Sequence, residues 1–181
     1  MRVALVTGCA GGIGAAVCSE LLKRGLTVYA TDRHHQPLFS FECGSNCRYI
    51  QLDVTQPSQV KACVSTIIEE QGRIDLLVNI AGVIVQGPAI DIPLEITEQT
   101  FAVNLFGQMR LVQAVTPYMI KQQKGTIVNM GSVLGFTGMP FLSTYSASKA
   151  AVQSYTDALR VELSPFGIHV YYAAPGEEYH Q

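Results

Sequence analysis

The sequence is poor in charge and carries no block of it. Only 14% of its 181 residues are Asp, Glu, Lys or Arg, and 12 basic against 14 acidic residues leave a net charge of −2. With no basic stripe, the electrostatic footprint of a nucleic-acid binder is missing. There is no repeat, no linker and no shift in composition, which excludes collagen, coiled coil and a disordered chain. No apolar run is long enough to span a bilayer. The uncharged stretch over residues 3–18 is broken by Gly8, Gly11, Gly12 and Gly14, so it reads neither as a membrane helix nor as a signal peptide. Cysteines number five, an odd count. Cys9, Cys18 and Cys63 sit in periodic apolar surroundings and read as small core residues. Cys43-xxx-Cys47 lacks the second pair that a metal site needs, so no metal is expected. A reducing, cytoplasmic setting is expected, and it leaves peripheral association with an endoplasmic-reticulum or lipid-droplet surface open.

What the chain does have is 48% hydrophobic residues and 16 glycines, enough for one large core. Short apolar runs alternate with helical periods. Strands are expected over 3–6, 26–30, 49–52, 74–78, 125–130 and 168–173. Helices are expected over 13–24, after Pro57 up to Gly72, over 97–121 and over 145–163. Repeated β-α-β alternation means parallel strands joined by crossover helices. The predicted fold is a doubly wound α/β domain over residues 1–176 with a mostly parallel, six-stranded sheet. Ligands on such sheets bind at the carboxyl ends of the strands.

The chemistry-bearing residues fall at those ends. The first strand runs into Thr7-Gly8-Cys9-Ala10-Gly11-Gly12-Ile13-Gly14, which opens a helix. Glycines there permit a tight turn and close backbone approach to a pyrophosphate, and the helix N-terminus faces it with free N–H groups. Asp32 follows Gly14 by eighteen residues, where a carboxylate accepts from adenosine ribose hydroxyls. It would repel a 2′-phosphate and favours NAD. Arg33 beside it would bind that phosphate and favours NADP, so both cofactors stay open. Asp53-Val54 closes the third strand and Asn79-Ile80-Ala81-Gly82 the fourth. Tyr145-Ser146-Ala147-Ser148-Lys149 puts a phenol and an ammonium one helical turn apart on a shared face. A cation there stabilises a phenolate and fits the phenol for proton transfer to a carbonyl oxygen. Chance alone supplies about 0.2 such pairs in a chain of this composition, so the motif gains its weight from following a dinucleotide turn. Ser132 ends the fifth strand, placed to hydrogen-bond the same substrate oxygen. Asn104 stands polar among apolar helix residues and is either exposed or held by a specific partner.

Taken in order, Thr7-Gly8-xxx-Gly12-Ile13-Gly14, Asp53-Val54, Asn79-x-Ala81-Gly82, Asn104, Ser132, Tyr145-xxx-Lys149 and Pro175-Gly176 resemble the short-chain dehydrogenase/reductase family, over residues 2–176. Ile80 departs mildly from the usual pattern. The resemblance implies a tetrad: Tyr145 as acid/base, Ser132 positioning the carbonyl, Lys149 on the nicotinamide ribose, and Asn104 holding a relay water. It implies cofactor contacts from Gly8, Gly12, Ile13, Gly14, Asp32, Arg33, Asp53, Val54, Asn79, Ala81, Gly82, Tyr145, Lys149, Pro175 and Gly176. The segment from Tyr145 to Gly167 is similar to acyldihydroxyacetone-phosphate reductases and to steroid- and retinol-type members, which implies a lipid-like carbonyl or alcohol substrate. A homodimer is implied through the helices over 97–121 and 145–163, with Ala147, Ala150 and Ala151 small enough for close approach and Leu105, Met109 and Val112 supplying apolar area. Family members continue past Pro-Gly with a Thr, lid helices and a seventh strand. Here Glu177-Glu178-Tyr179-His180-Gln181 follows. The resemblance thus also implies a form without the seventh strand. The alternative function is a truncated nucleotide-binding or dimer-interfering form with little catalysis.

Overall fold

Six short, mostly apolar strands pair in register, all parallel, in the order β3-β2-β1-β4-β5-β6. The computed structural model describes residues 1–35 and 45–176. Within them the elements are β1 (Val3–Thr7), α1 (Gly12–Lys23), β2 (Thr27–Asp32), β3 (Cys47–Gln51), α2 (Pro57–Gln71), β4 (Leu76–Asn79), α3 (Leu94–Phe101), α4 (Gln108–Gln122), β5 (Gly125–Met130), α5 (Ser143–Leu163) and β6 (Ile168–Ala173). The chain winds outward from β1 through β2 to β3, then crosses back to β4. A crevice therefore opens between the carboxyl ends of β1 and β4, where strand order reverses.

Each face of the sheet has its own core. Leu5, Leu77 and Ile127 pack with Ile67 of α2, Leu111 and Val115 of α4 and Leu159 of α5. Ala4, Val6, Val28 and Ala30 pack with Cys18 of α1 and with Cys9. Cys9, Cys18 and Cys63 are buried free thiols, as small core residues should be. Cys43 of the Cys43-xxx-Cys47 pair and the tail over 177–181 lie outside the described residues. Truncating one of the fully buried leucines to Ala would cost about 2–5 kcal/mol, a large share of a domain's stability.

The expected strands over 125–130 and 168–173 are found with those bounds, and the others shift by one or two residues. Gly72 stops α2 in the left-handed conformation, φ +69°, as its place after the last helical turn requires. The single helix expected over 97–121 is not single. It begins three residues earlier, behind Pro93, and passes through a π-helical stretch, Ala102–Gly107, before α4. The wider turn brings both Asn104 and Gly107 inward, and Gly107 comes so close to Val54 that a Cβ would overlap its side chain. Val112, expected at a dimer surface, is instead 3% exposed within the core, because α4 turns that face to the sheet. Leu105 and Met109 are half-buried, and Ala147 and Ala150 are exposed.

Candidate active site

Of the four glycines in the turn after β1, three stand there for different reasons. Gly8 has φ +75°, a conformation that disfavours any Cβ, and a Cβ there would stand 2.7 Å from the Ala81 nitrogen. On Gly14 it would stand 2.2 Å from the Gly8 oxygen, so α1 packs directly on the turn. At Gly12 neither reason holds. Its φ is ordinary and a Cβ would meet nothing within 4 Å. That Cβ would enter an open cleft of about 740 Å³. Glycine at this place therefore serves something outside the protein's own packing. A pyrophosphate laid against the first turn of α1 fits the room and the N–H groups, so the residues present suit a dinucleotide.

The other expected contacts separate into those that reach the cleft and those that do not. Ile13, Asp32, Arg33, Asp53, Val54, Ala81 and Gly82 line it. Asp32 accepts the Ala10 N–H at 3.0 Å through one carboxylate oxygen. Its other oxygen lies 2.7 Å from His34 Nδ1. Asp53 holds its own turn, accepting from the Thr55 N–H at 2.8 Å and hydroxyl at 2.7 Å. Asn79 does not face the cleft lining. It is buried in the sheet, donating to Asn129 at 3.0 Å, and Asn129 in turn donates to Thr156 at 3.1 Å. Pro175 and Gly176 follow β6 at the same carboxyl end of the sheet.

The tetrad residues do not line this cleft themselves; Gly82, which does, stands beside two of them. Asn104 is fully buried and clamps the loop after β4, accepting the Val83 N–H at 2.8 Å and donating to the Val83 oxygen at 2.9 Å. It also donates to Ser148 Oγ at 3.0 Å, and Ser148 donates to the Tyr145 carbonyl at 2.7 Å. Of the two options open to this residue, exposure or a specific partner, the second is found. Lys149 lies one turn from Tyr145 on α5, its Nζ 5.6 Å from the phenol ring centre. It donates to the Met130 oxygen at 2.9 Å. No carboxylate pairs with it among the described residues. Burial consequently pushes the ammonium down to about 8. A Cβ on Gly82 would stand 3.3 Å from Asn104 Oδ1 and 3.6 Å from Lys149 Nζ, which ties the end of β4 to both.

Ser132 leaves β5 in extended conformation, and its Oγ accepts the Leu134 N–H at 3.1 Å. Its own hydroxyl proton stays available for a substrate oxygen. Three further residues, none of them expected as site residues, tie these elements together. Tyr172 of β6 reaches the Ser132 main chain, Ser148 joins Asn104 to α5, and Thr7 accepts from the Ile80 and Ala81 N–H groups at 3.1 Å each. One signal existed for Tyr172: Gly131 and Gly135 bracket Ser132, and paired glycines beside a site residue leave room for a large ring. The loops after β4 and β5 carry exposed apolar residues, Ile84 and Ile90 on one and Phe136 and Phe141 on the other, and they join where the Gly87 N–H meets the Phe141 oxygen at 2.8 Å.

The family model for short chain dehydrogenases matches residues 2–178. The chain belongs to that family. Relatives share its sequence over 97% of its length: short-chain dehydrogenase RED1 of Pyricularia oryzae at 39% identity, 3-ketodihydrosphingosine reductase of Bacteroides thetaiotaomicron at 36%, and NADPH-dependent 1-acyldihydroxyacetone phosphate reductase of Saccharomyces cerevisiae at 37%. The chain spans 62%, 64% and 60% of their own lengths. Among solved structures, a short-chain dehydrogenase from Streptomyces avermitilis superposes with a TM-score of 0.93 at 32% identity. It is matched over 97% of this chain and 66% of its own. NAD+-bound xylitol dehydrogenase gives 0.89 at 29%, over 97% and 70%. A short-chain dehydrogenase takes NAD(H) or NADP(H), and both occur among these relatives and structures by name. Among the described residues no helix is long and apolar enough to cross a membrane.

Proposed function

We propose that the cleft binds a nicotinamide dinucleotide, NAD(H) in preference to NADP(H), and that the residues at its far end serve hydride exchange with a lipid-like ketone or secondary alcohol. The observation that carries this reading is the junction at Gly82, where the dinucleotide cleft, Asn104 and Lys149 converge within a few ångströms. Bound there, the nicotinamide would supply or accept the hydride. Tyr145 gives its phenol proton to the carbonyl oxygen in reduction and takes it back from the alcohol in oxidation. Ser132 donates to the same oxygen. Lys149 keeps positive charge beside the phenol and reaches the nicotinamide ribose. Asn104 fixes the π-helical stretch against Val83 and so sets the floor on which these groups stand.

Asp32 supports NAD(H), since its carboxylate lines the cleft and would oppose a 2′-phosphate. The exposed apolar side chains of Ile84, Phe136 and Phe141, on the loops after β4 and β5, support a substrate with an alkyl chain. Two relatives are named for long-chain lipid carbonyls, although xylitol dehydrogenase shares the fold. A homodimer through α5, and action from the cytoplasm at an endoplasmic-reticulum or lipid-droplet surface, belong to the same proposal. The test is turnover of 2-ketones of rising chain length with NADH and NADPH. Each added methylene that is buried should raise kcat/KM by about fourfold, the equivalent of ~0.8 kcal/mol. A preference for short polyol ketones, or no turnover with either cofactor, overturns the reading.

A further inference from the structure

We infer that Tyr172 is a positioning residue, whose hydroxyl fixes the main chain of Ser132 relative to α5. The inference rests on the role proposed for Ser132. Three observations carry it. The Tyr172 hydroxyl accepts the Ser132 N–H at 3.1 Å and donates to the Ser132 oxygen at 2.9 Å, so one side chain satisfies both main-chain groups of that residue. It also lies 3.4 Å from the Lys149 oxygen, within reach of the helix that carries Tyr145 and Lys149. Its ring fills the space that glycine leaves at two positions. A Cβ on Gly131 would fall 1.9 Å from the ring carbon that bears the hydroxyl, and one on Gly135 2.3 Å from the hydroxyl itself. Phe136 closes the arrangement, edge-on at 5.6 Å between ring centres.

The placement answers a problem of the fold. The β5–β6 ladder ends with the Gly131 N–H on the Ala173 oxygen, one residue short of Ser132. A serine just past a strand end has no ladder partner to hold its direction. Tyr172, in register with Asn129 on β5, extends the pairing by one residue through its side chain. Tyr171 beside it is 55% exposed and is ordinary strand surface, so strand propensity alone does not account for the second tyrosine. Burial raises the Tyr172 phenol above its ordinary value, in keeping with a hydroxyl that donates rather than ionises. With its backbone fixed and its Oγ already accepting from Leu134, Ser132 presents its hydroxyl proton in one direction.

Tyr172→Phe keeps the ring over Gly131 and Gly135 and removes only the hydroxyl. It should lower kcat by about 10- to 100-fold, the scale of misplacing a reacting group by a fraction of an ångström, and leave dinucleotide affinity within about twofold. The decisive readout is a double-mutant cycle. In a Ser132→Ala background the same substitution should change kcat by less than about twofold, because its effect passes through Ser132. An equal loss in both backgrounds, or no loss in the single variant, overturns the inference. Amide hydrogen exchange gives a readout independent of turnover. Tyr172→Phe should expose the Ser132 N–H to exchange at least tenfold faster, and unchanged protection overturns the inference. If the unmodified chain turned over no ketone, the functional reading would fall, and the amide measurement would still decide whether Tyr172 holds Ser132.

Discussion

Gly12→Ala separates a glycine kept for a ligand from glycines kept for the fold. Gly12 begins α1 with ordinary backbone angles and open space where a Cβ would go. Alanine there relieves the unfolded chain of glycine's freedom and gains up to ~0.5–1 kcal/mol of helix propensity. At about 2–4 °C per kcal/mol for a chain of this size, the ligand-free protein should melt unchanged or a few degrees higher. Gly14→Ala behaves oppositely. Its Cβ would lie 2.2 Å from a backbone oxygen, so α1 must move by more than an ångström, and overpacking of that kind costs about 1–3 kcal/mol or more. Gly8→Ala adds the left-handed penalty of about 1–2 kcal/mol to its collision with Ala81. Differential scanning fluorimetry, with and without nucleotide, reads both quantities. At a hundredfold excess over Kd, nucleotide should stabilise the unmodified protein by ~2.7 kcal/mol, or about 5–10 °C. Gly12→Ala should lose most of that rise, with affinity at least tenfold weaker by titration. If Gly12→Ala binds NAD(H) as tightly as the unmodified chain, the cleft is not a pyrophosphate cradle and the reasoning fails.

Tyr145→Phe should reduce turnover at least ~100-fold while nucleotide binding stays near the unmodified value; retained turnover in a stopped-flow or steady-state assay removes Tyr145 from the role of acid. Asp32→Asn keeps an oxygen for the Ala10 N–H but drops the charge, so the preference for NAD(H) over NADP(H) should narrow by at least about tenfold. Tighter NADPH binding to the unmodified chain would instead assign discrimination to Arg33. Lys149 stands at about 8 in the folded chain against 10.5 unperturbed. Between those values the unfolded chain holds a proton that the folded one has released, so stability rises with pH across that window, by at most ~3 kcal/mol. Lys149→Met should flatten that rise in urea titrations at pH 7, 8.5 and 10 and be the more stable form at pH 7. An unmodified chain that is more stable than the variant at pH 7 refutes the desolvation argument.

The parts readable in the sequence were those whose cause is local. Gly8 to Gly14 form a turn whose constraints lie within seven residues, and Tyr145 and Lys149 share a face because a helix repeats every 3.6 residues. The doubly wound, parallel character of the sheet followed from the alternation of apolar runs with helical periods. The unread parts depend on contacts far apart in sequence. Asn104 meets Val83 across 21 residues, Tyr172 meets Ser132 across 40, and Asn79 meets Asn129 across 50. Asn79 shows the difference well. Its place at a strand end suggested a cleft residue, but which way a strand-end side chain points depends on its neighbour in the sheet. The π-helical stretch was hidden for a related reason. A single widened turn leaves the apolar spacing on either side intact, and only the burial of Asn104 reveals it.

The molecule holds several buried polar groups at a cost. Lys149 is buried with a backbone oxygen and no carboxylate to balance it. Asn79 Oδ1, Gln108 Oε1 and Ser146 Oγ are buried without a hydrogen-bond partner among the described residues, and Gln108 shares the Met130 oxygen with Lys149. Groups like these cost about 1–3 kcal/mol each when left unmatched, and strand and helix cores elsewhere in this chain avoid them. Lys149 is the charged group among them, and Gln108 meets it at the end of β5. A carboxylate beside Lys149 would stabilise the ligand-free fold, yet it would neutralise the charge that a phenol and a ribose are to share. Stability was therefore not what placed an unpaired ammonium one turn from Tyr145. On the proposed reading, the buried ammonium becomes favourable when the Tyr145 phenol and a nicotinamide ribose share its charge.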